Sequence, residues 1–418
     1  MKKLMILFFT IFVLSILISN VSIFASETIK IGVLCPFTGP GALMGQEGYT
    51  GIKIATDMVN EKGGLWGKKI ELVKGDAVDP KIAISECERL ITVEKVDLII
   101  GTFSSSLAFA ATPVADRHKI FYLEAASMAN NINERGFKYL FRVNTNSRLS
   151  AISAVYFVRD VVIPKLDLTP ETVKIALLFE DSEAGTSTGD AIKKECEKYG
   201  YNIVLYEHYN RGTIDLSPLI MKLKVAEPDI LIALQYIDDG TLYWRQAKDL
   251  DFNVKAFIGT GGIHAMSTWA ETFPKLSDYA FVIGPGLEYD VSGLTSEVQA
   301  AREEYIKRYR EEYHEVVDIH SALGFSAGYF LYNYIMPKAG STDADALREA
   351  ALKLDIPEGG SIFGYGVKFA PPGHPEAGQN LRAHRMAKQW MSGNRVVVWP
   401  EELALKEPVL PMPEWDER

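Results

Sequence analysis

Ile29-Lys30-Ile31-Gly32-Val33-Leu34 and, much later, Val173-Lys174-Ile175-Ala176-Leu177-Leu178 are near-copies of one another, each followed by a glycine-containing loop and a helical pattern. A run that is apolar at almost every position has no face to offer water. It predicts a strand buried on both sides, as in a parallel sheet covered by helices. Outward from the first copy, Gln46 to Asn60 carries Ile52, Ala55 and Val59 on one helical face and stops at Gly63-Gly64. Lys69 to Lys74 reads as the next strand, and Asp79-Pro80 as the cap and first residue of a helix carrying Ala83, Cys87, Leu90 and Ile91. Asp97 to Ile100 and Ile120 to Leu123 follow as buried strands. Outward from the second copy, strands are expected at Ile203 to Tyr206, Ile230 to Leu234 and Val254 to Ile258, with helices beginning at Gly185, Leu216 and Gly240. Later the pattern turns helical, in Ser296 to Tyr313, Ile319 to Pro337 and Asp343 to Leu354, before a tail of glycines, prolines and short strands that includes Val396 to Trp399. The fold class is therefore α/β: two similar lobes, each a parallel sheet flanked by helices.

At 418 residues a single core is less favourable than two lobes. Lys and Arg number 44 against 54 Asp and Glu, a net charge of -10 that excludes a general nucleic-acid binder. Cys35, Cys87 and Cys196 lack any C-x-x-C spacing, so they build neither a zinc site nor a disulfide framework; free or buried thiols are expected, with one bridge at most. Met1-Lys2-Lys3, the apolar run Leu4 to Ile18 and the small residues up to Ser26 form a secretory leader over residues 1–25, cut after Ala25. The run is shorter than the roughly 20 residues of a spanning helix, and Asn20 and Ser22 oppose its extension into an uncleaved anchor. No cysteine stands at the cut, so a periplasmic protein without a lipid anchor is expected.

Gly39-Pro40-Gly41-Ala42-Leu43-Met44-Gly45 has the look of a dinucleotide turn, but its spacing is off by one and no acid ends the next strand at the customary distance. The preferred reading is a flexible loop facing a crevice between lobes, with no cofactor. Gly185-Thr186-Ser187-Thr188-Gly189 and Gly324-Phe325-Ser326-Ala327-Gly328 match a nucleophile elbow in letters only, because neither serine directly follows a strand. A hydrolase built on Ser187 is the enzymatic rival. The histidines (118, 208, 264, 314, 320, 374 and 384) show no metal-ligand spacing, so no metal is expected. His264 alone is kept as a ligand contact, since it follows Gly259-Thr260-Gly261-Gly262 after a strand. Ser104-Ser105-Ser106, after a strand and at a helix start, offers hydroxyls and free N–H groups to a carboxylate or polar group, or else a plain helix cap.

In order and spacing, the chain resembles the solute-binding proteins of branched-chain amino-acid type ABC importers, the family of the leucine-isoleucine-valine binding protein, with the type I periplasmic binding fold. The marks are Ile29 to Val33 leading to Thr38-Gly39-Pro40, Gly48 to Gly64, Asp76 to Pro80, Gly101 to Ser106, and Gly136 to Arg142. Further along stand Asp215-Leu216-Ser217, Pro228-Asp229, Arg245-Gln246-Ala247, and Gln389-Trp390 ahead of Trp399-Pro400. The resemblance implies two Rossmann-like lobes joined by three hinge crossovers, lobe 1 as residues 26–146 plus 286–362 and lobe 2 as 147–285 plus 363–418. It implies a monomer that closes on a small ligand and hands it to an ABC permease and its ATPase, making and breaking no bond. An exported sensor of the same fold, working with a membrane receptor, is the alternative.

By the same resemblance Ser104 matches the serine that holds the ligand carboxylate, Ser127 with Ala126 falls in the second anion-binding segment, and Tyr236 matches a second-lobe aromatic of the pocket. Phe103 and Ser105 flank the first of these. The departures are Met44 where an aromatic often covers the ligand, Ala184 for a second-lobe aromatic, Met128 for a threonine, and Gly261 where amino-acid binders place the acid that pairs with the ligand ammonium. An unpaired buried ammonium is costly, so an α-amino acid would need Asp181, Glu183 or Asp238 instead. Alanine and methionine in place of aromatics also predict a roomier, more adaptable pocket.

Overall fold

The computed structural model describes residues 28–313 and 317–418; the leader assigned to residues 1–25, and His314, lie outside them. The first sheet has the order β2-β1-β3-β4-β5 and is parallel throughout. Its strands are β1 (Ile29–Cys35), β2 (Ile70–Asp76), β3 (Leu98–Gly101), β4 (Tyr122–Glu124) and β5 (Leu140–Arg142). In β1, Ile31 and Val33 join one core while Leu34 joins Cys87 and Leu90 on the opposite face, which is why the strand is apolar at successive positions.

The second sheet has the order β12-β11-β10-β9-β8-β6-β7. β6 (Lys174–Glu180), β7 (Asn202–Tyr209), β8 (Ile230–Leu234), β9 (Ala256–Gly259) and β10 (Phe281–Gly284) are parallel. β11 (Met386–Met391) and β12 (Asn394–Trp399) close its edge antiparallel. β6 repeats the two-sided burial of β1, with Leu177 and Phe179 in one core and Ala176 and Leu178 in the other.

Several boundaries differ from the sequence reading. β5 (three residues) and β10 (four) were not anticipated. The first helix runs Ala42–Glu61, so the glycine-rich segment expected to be a loop is helical from Ala42 onward. Gly45 lies in that helix because the chain passes close by: a Cβ there would sit 2.0 Å from the Pro36 carbonyl oxygen. Asp79 does cap the helix Pro80–Thr92, accepting from Ile82 N at 2.8 Å. The long C-terminal helix Ile319–Phe330 continues through a wide turn, Leu331–Ile335, to Ala339. Cys35, Cys87 and Cys196 are all free and buried.

The chain passes between the sheets three times. After β5 it crosses at residues 143–146 into the helix Ser147–Phe157, which packs on the helix Glu183–Lys198. After β10 it returns to the helices Ser296–Glu312 and Ile319–Phe330, both packed on Ala42–Glu61. From the helix Ala344–Leu352, tied to the first lobe by the Asp345–Lys138 ion pair at 2.7 Å, it crosses back to β11. The crossovers are laced together: Asn380 Nδ2 donates to Val143 O at 2.9 Å, and Arg385 donates to Thr145 Oγ1 at 2.6 Å and Ile283 O at 3.3 Å. Among the described residues no helix is long and apolar enough to cross a membrane.

Candidate functional site

One wall of the interlobe cleft is organised by a carboxylate that the sequence reading passed over. Glu124, fully buried at the end of β4, accepts from Thr102 N at 2.6 Å, Ser127 N at 3.0 Å, Ala126 N at 3.1 Å and Phe103 N at 3.4 Å. Burial raises its pKa and these N–H groups pull it back, leaving it above the ordinary carboxylate value. Both loops that follow β3 and β4 are thereby folded around one side chain. Ser105 adds a second tie, its Oγ accepting from Met128 N at 3.0 Å and Ala129 N at 3.1 Å. Phe103 is held at a φ of 67°, rarely adopted outside glycine, and its ring abuts Gly48, where a Cβ would stand 2.3 Å from it. Ser104 occupies the N-cap position of the helix Ser105–Arg117 but makes no capping hydrogen bond, so the plain-cap alternative does not describe it. Ser127 Oγ lies 3.4 Å from Thr102 Oγ1.

The opposite wall is set by Glu180 at the end of β6, which accepts from Ser182 N and Ser182 Oγ, both at 2.7 Å. Ser182 in turn caps the helix Glu183–Lys198 through Ala184 N at 3.2 Å. Tyr236 follows β8, its N–H held by Asp239 Oδ1 at 3.1 Å and its ring covered by the Arg211 guanidinium at 3.9 Å. Burial pushes its hydroxyl pKa up to about 12. Gly261 has a φ of 135°, which a side chain would strain, and a Cβ there would lie 3.8 Å from the Met128 sulfur across the cleft.

These walls enclose a cavity of about 60 Å³. Met44, Phe103, Ser105, Ala126, Ser127, Met128, Ala184, Tyr236 and Gly261 all line it, so the structure brings them together. Ser104 stands beside them without lining it. The expected roominess is absent, because Met44 and Met128 reach across and pack with Tyr236 in the second lobe's core. Asp181 and His264 are not brought to the cavity. Asp181 is exposed and accepts from Arg211 N at 3.0 Å and Asn210 Nδ2 at 3.1 Å. The His264 ring is fully buried between Phe257 and Trp269, with centroids at 4.9 and 4.7 Å, and burial lowers its pKa to about 3. The other candidate partners for an ammonium are also elsewhere: Glu183 accepts from Asn131 Nδ2 at 2.6 Å across the cleft, and Asp238 is exposed.

The lining further includes Asn144, Ile319, His320, Leu323 and Arg385, from the crossovers and the start of the helix Ile319–Phe330. Sequence reasoning missed them because they belong to no motif and none follows a strand that it anticipated; Asn144 comes just after β5. For Glu124 a signal existed, an acid closing the apolar run Phe121-Tyr122-Leu123. Ser187 sits inside a helix and accepts from Asn130 N at 3.0 Å, and Ser326 lies within Ile319–Phe330; neither stands on the sharp strand-to-helix turn that a nucleophile needs. Among the described residues no group of three or more His, Cys, Asp or Glu side chains is placed to hold a metal ion.

Residues 28–388 match the family model described as periplasmic binding protein. A Leu/Ile/Val-binding protein homolog 7 from Brucella abortus (strain 2308) is 34% identical over 395 residues, covering 93% of this chain and 95% of that one. Among solved structures, a leucine binding protein, LivK, from Thermotoga maritima superposes with a TM-score of 0.75 at 20% identity, covering 90% of this chain and 99% of that one. An ABC transporter solute binding protein from R. palustris, in complex with benzoate, superposes with a TM-score of 0.73 at 18% identity, covering 89% and 96%. At such identities these two superpositions speak for the fold alone.

Proposed function

The chain belongs to the periplasmic binding protein family, and from that premise we propose that it is the extracytoplasmic solute-binding component of an ABC importer. It traps a small polar-headed or carboxylate solute, a branched-chain amino acid or a related organic acid or amide, and delivers it to a membrane permease and its ATPase. It works as an exported monomer after removal of residues 1–25, and it catalyses no reaction. Lobe 1 comprises residues 26–146 plus 286–362 and lobe 2 residues 147–285 plus 363–418. The observation that carries this reading is the interlobe cavity, with neutral donors on one side and an apolar band around it. Ser104 and Ser127 take the solute's head, and Met44, Phe103, Met128 and Tyr236 surround its body. The leucine of the T. maritima protein's name and the benzoate of the R. palustris protein bracket the solutes to try first.

A thermal-shift screen of residues 26–418 against amino acids, aliphatic and aromatic carboxylates and amides tests it. A solute at 100 times its dissociation constant adds about 2.7 kcal/mol to stability, a visible rise in Tm. Silence across all three classes would overturn the reading.

A further inference from the structure

We propose that Arg385 supplies the charge that selects the solute, and that the solute is a carboxylate without an ammonium group; this rests on reading the cleft as the solute site. Arg385 lies on the third crossover, is 4% exposed and lines the cavity. Its Nε and Nη1 donate to Thr145 Oγ1 and Ile283 O, both neutral acceptors. No carboxylate among the described residues forms an ion pair with it, whereas buried Arg395 has Glu288 at 3.6 Å and half-exposed Arg148 has Glu376 at 2.6 Å. A guanidinium carries five N–H donors and keeps its charge, so a buried one with no counter-ion is costly until an anion reaches it. Burial lowers its pKa to about 10, which still leaves it cationic at neutral pH.

Asn144 stands on the neighbouring crossover. The residue lines the cavity; its Oδ1 accepts from Tyr365 Oη at 3.4 Å, while its Nδ2 is buried and has no hydrogen-bond partner among the described residues. A second donor thus waits beside the first for an acceptor from outside the protein. His320, also lining the cavity, is oriented by its Nδ1 contact with Asp318 at 3.1 Å. Against these donors the cavity lining contains no Asp or Glu. The nearby acids are committed: Asp318 accepts from His320 N at 2.8 Å, and Glu288 accepts from Leu287 N at 3.1 Å beside its pair with Arg395. Arg385 is the one Arg or Lys in the cavity lining, and its single charge matches one negative charge. A zwitterion would satisfy Arg385 and bring an ammonium with nothing to face it.

Three probes on one carbon skeleton separate these contributions: 4-methylpentanoate, L-leucine and 4-methylpentanamide, with benzoate and benzamide as an aromatic pair, titrated calorimetrically. The expected result is binding of a carboxylate at least about 100-fold tighter than its amide or amino-acid counterpart. Arg385→Gln should lose about 100-fold for the carboxylate and Arg385→Lys clearly less, while both keep the wild-type circular dichroism. Leucine binding as tightly as 4-methylpentanoate, or Arg385→Gln binding carboxylates like wild type, overturns the inference. If leucine or an amide binds as tightly as its carboxylate counterpart and Ser104→Ala with Tyr236→Ala abolishes that binding, the cleft reading stands and this inference alone falls; if no probe binds, both fall. Should Arg385→Gln not fold, the probe series on the wild-type protein still decides.

Discussion

Glu124 and Arg385 are both buried, both charged and both at the cleft, yet their surroundings are opposites. Four backbone N–H groups converge on Glu124 from two loops, so its charge is answered entirely from within the chain. Arg385 meets only a hydroxyl and a carbonyl oxygen. A buried charge that is fully answered builds the walls; one left unanswered beside a cavity identifies what the walls are for.

The largest effect that could break this contrast is on folding. Glu124→Leu strips an acceptor from all four N–H groups and should cost roughly 3–5 kcal/mol in urea unfolding. Arg385→Gln should cost about 1 kcal/mol or less, since removing an unpaired buried charge relieves its desolvation. Equal costs for the two would erase the distinction. A third kind of buried group, His264, is neutral and packed edge-on against Phe257 and Trp269, with neither ring nitrogen hydrogen-bonded among the described residues. Its pKa falls from 6.5 to about 3 on burial, so the unfolded chain binds the extra proton first and stability declines as pH drops below 6.5. About 3 kcal/mol should be lost by pH 4 from this residue, and thermal melts of His264→Leu should show a flatter pH profile. On the ligand side, Ser104→Ala combined with Tyr236→Ala should weaken binding by about 2–3 kcal/mol, read by titration. Smallest is Asn131→Ala, which removes the contact to Glu183 across the cleft; about 1 kcal/mol or less of affinity is expected to go.

The α/β architecture was legible because β1 and β6 are apolar on both faces and each leads into a capped or glycine-marked helix. β5 and β10 were not, although β3, β4 and β9 are as short and were. Glycine misled at Gly45, where it permits a close approach inside a helix instead of a turn. Ser104 and Ser105 were legible from their place after a strand, the position where such folds present side chains; Met44, Ser127, Met128 and Tyr236 were legible only through the family resemblance. The same rule misplaced His264, whose ring turns into the Phe257 and Trp269 cluster. It was silent about Arg385, Asn144 and His320, which come together only once two distant crossovers and the start of the helix Ile319–Phe330 lie side by side. Their meeting depends on long-range topology, which local pattern does not encode.

Because the helix Ile319–Phe330 packs on Ala42–Glu61 while β11 and β12 complete the second sheet, neither lobe is made from one uninterrupted stretch of chain. Synthesis must reach Leu352 before the helices of the first lobe are complete, and Trp399 before the second sheet is. High contact order of this kind slows folding, so a nascent chain of this topology stays pliable until it is almost whole.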